Sequence, residues 1–302
     1  KEAVSPPAAP GKGAWEGTAS PVTAAANTGN NHKKNTPDMK LSPKNLLIAA
    51  LLLLATAASA QCKYRNTAFK SGEYLSYNLY FNWKFVWVKV GNATMSTVHS
   101  HYNGRQAWRA SLITRSSERA DDFFIMRDTL LCYNTTDLEP LYFRKGAREG
   151  KRYTVDEVFY SYPGGKVQTR QHRLRHNGEH QWKTNTADEC IFDMLSIFMR
   201  ARSFNPEGWK KGKRVRFPIT DGIGVIPAVL EYKGKTVVKA DNGMKYNCLQ
   251  LSYKELDNGK YKELVRFFVT DDDSHVTIRL DMSLKFGSAK AFLTGMKGVK
   301  GK

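Results

Sequence analysis

From Glu73 onward, apolar side chains recur at every second position. A period of two suits strands that bury one face and wet the other. In Glu73 to Asn82, Leu75, Tyr77, Leu79 and Phe81 fall on one face, and Ser76, Asn78 and Asn82 on the other. Val86, Val88 and Val90 continue the pattern up to Gly91, where a bulge is expected to bend the strand. The longest alternation is Val276, Ile278, Leu280, Met282, Leu284 and Phe286, set against Thr277, Arg279, Asp281, Ser283 and Lys285. Such a strand requires a cover over one face.

Turn chemistry separates these runs. Asn103-Gly104, Asn177-Gly178, Asn242-Gly243 and Asn258-Gly259 each supply the positive φ angles of a tight hairpin, and Pro163-Gly164-Gly165 marks another reversal. Only one segment reads as helix. Thr186 and Glu189 make a capping box, and Ile191, Phe192, Leu195, Phe198 and Met199 form a stripe at helical spacing that ends before Asn205-Pro206. The expected fold is mainly β: a curved antiparallel sheet forming a closed or half-open barrel, with one α-helix near residues 187–203 packed against it. No internal repeat is visible, so residues 61–302 read as a single β-rich domain, with Lys210 to Arg216 as a basic connector inside it.

Met39 to Cys62, MKLSPKNLLIAALLLLATAASAQC, reads as an export signal. Lys40 and Lys44 precede the uncharged run Leu46 to Ala60, and Ala58-Ser59-Ala60 is the small-x-small sequence a signal peptidase cuts after. The run is 15 residues long, short of the roughly 20 needed to span a bilayer. Residues 39–60 are therefore expected to be a cleaved signal peptide, with the mature chain starting at Gln61 and carrying no transmembrane span. Gln61 also disfavours lipidation of Cys62, because a lipoprotein signal needs a small residue there. Residues 1–38, rich in Ala, Pro, Thr, Gly and Asn, read as a disordered gene-model extension. The expected location is the periplasm or the outer-membrane periphery.

The chain has 47 Lys and Arg against 28 Asp and Glu, a net charge of +19; loss of residues 1–60 leaves +16. In a cytosolic protein this balance would suggest nucleic acid, through counterion release. For an exported one the anionic neighbours are lipid phosphates, lipopolysaccharide and acidic glycans. Nucleic acid is not an expected partner, whereas lipid, lipopolysaccharide, glycan and other envelope proteins are. The basic residues are spread along the chain, which suits a solvated surface equally well. Cys62, Cys132, Cys190 and Cys248 allow three disulfide pairings or buried thiols, and no pair has C-x-x-C spacing.

There is no Gly-x-Ser-x-Gly, phosphate loop or dinucleotide fingerprint, so no catalytic residue and no cofactor is nominated. His172, His176 and His180 are spaced by four. The Asn177-Gly178 turn between them argues for a hairpin with His176 opposite Glu179 and His180 opposite Arg175, which scatters the imidazoles, so no metal site is expected. Asp271-Asp272-Asp273 and Asp121-Asp122 read as acidic turns. Aromatics crowd one region: Tyr74, Tyr77, Tyr80, Trp83 and Trp87 are candidates to line a cavity for acyl chains or to stack on sugar rings, with core packing as the competing reading.

The stretch Ala68 to Trp83, AFKSGEYLSYNLYFNW, resembles the opening of the envelope-protein family DUF3108. Similar matches follow in order: Gly91, Arg127-Asp128, Pro140, DMLSIFMRAR from Asp193 to Arg202, Tyr232 to Lys235, Cys248, TDDD at Thr270 to Asp273, and FGSAKAFL from Phe286 to Leu293. The family pattern has a proline shortly after the acidic turn, where this chain has His275-Val276-Thr277. The resemblance implies an exported β-rich domain of Gram-negative bacteria such as the Bacteroidetes, and brings no established activity and no catalytic residue. Within its motifs, Glu73, Arg127, Asp128, Asp193 and Arg200 stand beside apolar residues, and are expected to include buried or half-buried ion pairs.

The leading functional expectation is a periplasmic protein that binds or carries an amphiphile or an envelope glycan. Its rivals are a structural partner of an outer-membrane assembly and a carbohydrate-active hydrolase. An aromatic-lined cavity favours the first, a filled interior the second, and two facing carboxylates in a cleft the third. N-terminal sequencing of protein from the envelope fraction is expected to start at Gln61; a mature chain that retains residues 1–38 would contradict the export reading.

Overall fold

The computed structural model describes residues 62–83, 86–220, 222–284 and 287–301. The chain divides after Leu53 into two units, and every described residue lies in the second. The expected signal segment, Gln61 and Phe286 lie outside the described residues, as does the side chain of Trp83.

The described residues form fourteen strands in one antiparallel sheet. In chain order they are β1 (Glu73–Trp83), β2 (Val86–Tyr102), β3 (Arg105–Ser116), β4 (Met126–Thr135), β5 (Pro140–Glu149), β6 (Arg152–Ser161), β7 (Val167–Leu174), β8 (His180–Ala187), β9 (Arg214–Thr220), β10 (Val225–Lys239), β11 (Lys245–Asp257), β12 (Lys260–Thr270), β13 (Thr277–Leu284) and β14 (Gly287–Lys297). The sheet order runs β8 back to β1, then β14 back to β9. Two meanders thus share a seam where β1 pairs with β14, and the sheet ends at β8 and β9 without closing. A short helix α1 (Glu118–Asp121) sits between β3 and β4, and α2 (Met194–Arg202) lies in the connection between the two sheet ends. The expected mainly β, half-open arrangement with one packed helix is what the chain forms.

The alternation is realised through Leu79 and then lapses: Phe81 is half-buried like Asn82, and Val86 and Val88, expected to continue the buried face, are exposed. In β1, Leu75, Tyr77 and Leu79 are buried, whereas Ser76, Asn78 and Tyr80 are half-exposed. Leu79 pairs with Gly91 and Tyr80 with Lys89, so Val90 is the extra residue of a bulge. Gly91 is required beside it, because a Cβ there would overlap the backbone carbonyl of Arg115 on β3. Tight turns with positive φ at both residues form at Asn103-Gly104 (49° and 77°) and Asn258-Gly259 (47° and 75°). At Asn177-Gly178 and Asn242-Gly243 only the glycine is left-handed, and the loops are longer, closed by Arg175 N–H to Glu179 O and Ala240 N–H to Met244 O, both 2.9 Å.

Two further expectations need correction. The helix starts at Met194, not near residue 187, and its cap is Asp193: Oδ1 accepts from the N–H groups of Leu195 (3.0 Å) and Ser196 (2.8 Å). Thr186 belongs instead to β8, and Phe192 remains extended, bridging to β9 through its N–H to Pro218 O (3.0 Å) and its C=O from Thr220 N–H (2.8 Å). A carboxylate adjacent to the first turn satisfies orphan N–H groups directly, so it outcompetes a capping box that lies about two turns too early. The second correction concerns the final alternation. Val276 and Ile278 are fully buried, Leu280 and Met282 half-buried, and Leu284 exposed. A nine-residue helix spans about 13 Å, which covers only about four residues of a strand.

Burial organises around α2. Leu195 and Met199 pack with Leu75, Tyr77, Phe143, Val158 and Ile278 in one cluster, while Ile197 joins Ile191, Phe192, Phe217 and Ile219 in a second. At the helix C-terminus, Arg202 donates to both carboxylate oxygens of Glu73, with Nη2 to Oε2 at 2.8 Å, and both side chains are almost fully buried (3% and 1% exposed). Removing one partner strands the other charge in the core. Glu73→Ala is expected to lower stability by about 3 to 5 kcal/mol, while Glu73→Leu with Arg202→Met recovers most of the loss. Urea unfolding of the three proteins checks both statements.

Candidate functional site

The strand pleat separates Tyr77 from Tyr74 and Tyr80, and the side chain of Trp83 lies outside the described residues. Tyr77 points into the core, where its hydroxyl donates to Thr277 O (3.1 Å) and burial pushes its pKa up. Tyr74 and Tyr80 project from the opposite face, Tyr74 being 43% exposed and Tyr80 donating to Asp241 Oδ2 (2.7 Å). Trp87, near the β1–β2 hairpin, is exposed under Lys290, whose Nζ lies 3.9 Å from the ring centre. These rings therefore do not line one cavity, and the face that carries Tyr77 is filled by α2.

The five candidate charges meet different surroundings. Glu73 pairs with Arg202. Arg127 pairs with Asp121 at a partly exposed site. Asp128 is half-buried, and burial raises its carboxyl pKa against the pull of Lys145. Asp193 is a buried helix cap whose pKa is likewise raised by burial, with Ser196 and Tyr160 hydroxyls donating to Oδ2 (2.6 and 3.2 Å). Arg200 has no carboxylate within ion-pair distance among the described residues. Its guanidinium lies 3.5 Å from the ring centre of Tyr64 and 4.9 Å from that of Phe192, and burial lowers its pKa.

Arg200 opens onto a cleft. Cys62 and Cys190 form a disulfide that ties the segment before β1 to the segment before α2, with Cα atoms 5.2 Å apart. Cys132 and Cys248 are buried thiols. On one side of the tether is a cleft of about 580 Å³ whose walls include Tyr64, Phe192, Phe217, Arg200 and Arg216. Its rim also carries Glu189 and Asp188, the latter paired with Lys166 at 2.9 Å. On the other side, a cleft of about 450 Å³ is lined by Lys63, Arg105, Glu139, Tyr160 and Tyr162. The larger one combines aromatic walls with two guanidinium groups, a combination that suits an apolar ligand with an anionic head.

Two further clusters escaped the sequence reading. The imidazoles of His172 and His180, expected to be scattered, stack with centres 5.1 Å apart and join Nε2 to Nδ1 at 2.8 Å. The reason is register: His180 pairs with Leu174, not Arg175, which puts both rings on one face. His172 Nδ1 also meets Glu157 Oε2 at 2.9 Å, and Tyr142 donates to Glu157 Oε1 at 2.5 Å. Among the described residues no three His, Cys, Asp or Glu side chains converge to hold a metal. The second cluster is Glu231, which accepts from Lys233 (2.8 Å), Lys254 (3.0 Å) and Arg214 (2.7 Å). No local motif foretells it, since Arg214 and Lys254 reach it from β9 and β11.

The architecture defines a class before it defines a family. It is similar to a β-barrel-like protein of the domain of unknown function DUF1849 from Brucella abortus, at 10% identity over 76% of this chain and 98% of that chain, with a TM-score of 0.50. A candidate exported protein of YmcC-like fold from Bacteroides fragilis overlaps at 7% identity over 78% of this chain and 100% of that chain, with a TM-score of 0.31, too slight to argue from. The chain itself belongs to DUF3108, a family of proteins of unknown function, whose pattern matches residues 76–294. No curated protein matches it. No helix among the described residues is long and apolar enough to cross a membrane.

Lys233, then Lys254 and Arg214, hold the Glu231 carboxyl down to about 2 from an ordinary 4.5. A depressed carboxyl stabilises the fold above its unfolded pKa, and that contribution disappears as pH falls from about 4.5 to about 2. Glu231→Gln is therefore expected to cost about 2 kcal/mol at pH 6 and little near pH 2. Urea midpoints measured at both pH values check the sign.

Proposed function

We propose that the protein is an exported envelope protein that binds an anionic amphiphile, with Arg200 and Arg216 receiving the carboxylate or phosphate head and Tyr64, Ala187 and Pro218 the apolar portion. The observation that carries this reading is the state of Arg200: a half-buried guanidinium, stacked on aromatic rings, without a carboxylate partner among the described residues and open to a cleft of about 580 Å³. Burial without a counter-charge is costly, and a bidentate anion relieves it. The Cys62–Cys190 disulfide supports export, since such bonds persist in oxidising compartments. The signal-like segment ending at Ala60 supports it independently, with mature protein in the periplasm or at the outer-membrane periphery.

A second reading, a structural partner of an outer-membrane assembly, draws on a different observation: α2 and its two clusters fill the face where a barrel carrier would keep its cavity. Binding separates the two. Dodecyl phosphate, below its micelle concentration, is expected to raise the melting temperature of the wild type, and dodecanol to do so much less. Arg200→Met is expected to weaken dodecyl phosphate binding by about tenfold or more, the scale of a charge-assisted hydrogen-bond pair. Failure of the wild type to bind any long-chain phosphate or carboxylate would leave the structural reading.

A further inference from the structure

One end of the sheet presents apolar side chains to water. β1 pairs with both β2 and β14, and β14 with β13, so the β1–β2 and β13–β14 hairpins end side by side. Both faces of the start of β2 are apolar and wet: Val86 is 62%, Trp87 38% and Val88 45% exposed. Leu284, ending β13, is 49% exposed. The loop from β3 to β4 lies at the same end, because β3 stops at Ser116 opposite Gly91 and Ser117 N–H donates to Val90 O (2.8 Å). That loop carries Phe123 and Phe124, 84% and 55% exposed. One exposed valine is ordinary; four large apolar side chains on two adjacent hairpins, with two exposed phenylalanines on the loop beside them, call for a partner.

Charge indicates which partner. Lys89 and Lys290 flank Tyr80 in register, and Lys290 lies over the Trp87 ring. Arg119 on α1 and Arg148, Lys151 and Arg152 at the β5–β6 turn are exposed at the same end, against Glu118, Asp122 and Glu149. An exposed apolar end with a tryptophan and a collar of cations, on a chain of net charge +19, or +16 without residues 1–60, complements an anionic bilayer. Valine, leucine and phenylalanine enter the acyl boundary, the indole settles at the interface, and the cations meet phosphates. We propose that this end of the sheet docks on the surface of an anionic lipid bilayer. The contact is peripheral and reversible, and it does not depend on the Arg200 cleft.

The test is co-sedimentation of protein purified from its own envelope with vesicles of phosphatidylglycerol and phosphatidylethanolamine, with phosphatidylcholine vesicles as control. Wild type is expected to bind the anionic vesicles preferentially and to be released by salt. Val86→Ser with Phe123→Ser is expected to cut binding about tenfold or more, with little change in melting temperature because the two side chains are 62% and 84% exposed. Arg200→Met should leave vesicle binding intact, which keeps this test separate from that of the cleft. The proposal is overturned if wild type ignores anionic vesicles, if the double variant binds as well as wild type, or if the patch instead mediates a dimer that the double variant abolishes.

Discussion

The Glu73–Arg202 ion pair is the contact on which the arrangement of sheet and helix depends. It joins the first residue of β1 to the last residue of α2, across 129 positions of sequence. A buried pair is tolerable only if its remaining donors are used, and here Arg202 Nε and Nη2 also donate to Ser274 O at 3.2 and 2.8 Å. His275 Nδ1 then donates to Arg202 O at 2.5 Å. One guanidinium therefore pins the helix end, the central strand and the β12–β13 loop. Its net stabilisation is small, because desolvation offsets attraction. Its effect is on register: the helix can present Leu195 and Met199 to the β1 face in only one rotation.

That rotation also explains Arg200. Two residues along an α-helix turn the side chain by about 200°, so Arg200 and Arg202 leave on nearly opposite sides. Arg202 enters the core; Arg200 emerges against Tyr64 and the cleft wall. The strand pattern was legible in the sequence, because a period of two in Leu75, Tyr77 and Leu79 has one structural meaning. The roles of the two arginines were not legible. Both stand beside apolar residues in the same motif, and only the helix start, set by Asp193, decides which one meets Glu73. The same limit applies to His172 and His180, where a shift of one residue in a hairpin decides whether the rings meet. Glu231 depends on cations from two other strands, which no local spacing announces.

The disulfide does for the cleft what the ion pair does for the core. Cys62 and Cys190 are 128 residues apart, and the loop they close contains the whole β1–β8 meander. In chain-entropy terms such a closure is worth about 5 kcal/mol, most of it from restricting the unfolded chain. Its local consequence matters as much. The bond fixes the arm that carries Tyr64, and Tyr64 N–H donates to Asp137 O at 2.6 Å. The ring under Arg200 is therefore held by a covalent tether at one end and a backbone hydrogen bond within it. The hydrogen bond and the ring contact are worth only about 1 kcal/mol each, so the tether is the stronger constraint on this part of the arm.

An open sheet has two ends that invite pairing with another chain, and this one guards them differently. Part of the β9 edge is occupied by Phe192, which takes up Pro218 O and Thr220 N–H. β8 is instead lined with His180, Trp182, Lys183 and Thr184, all exposed, with Arg170 lying over Trp182 at 4.3 Å. Charged side chains on an edge strand oppose the flat, apolar approach that strand addition needs. Among the described residues, Trp182 is the exposed large apolar side chain on these two edge strands, and it lies under Arg170; several of the others lie at the hairpin ends. A surface that docks there meets the hairpin ends of the strands and not an edge, leaving the described strand pairing as it is. Docking at the tips and folding of the sheet are energetically separable for that reason, whereas an apolar edge strand would have coupled them.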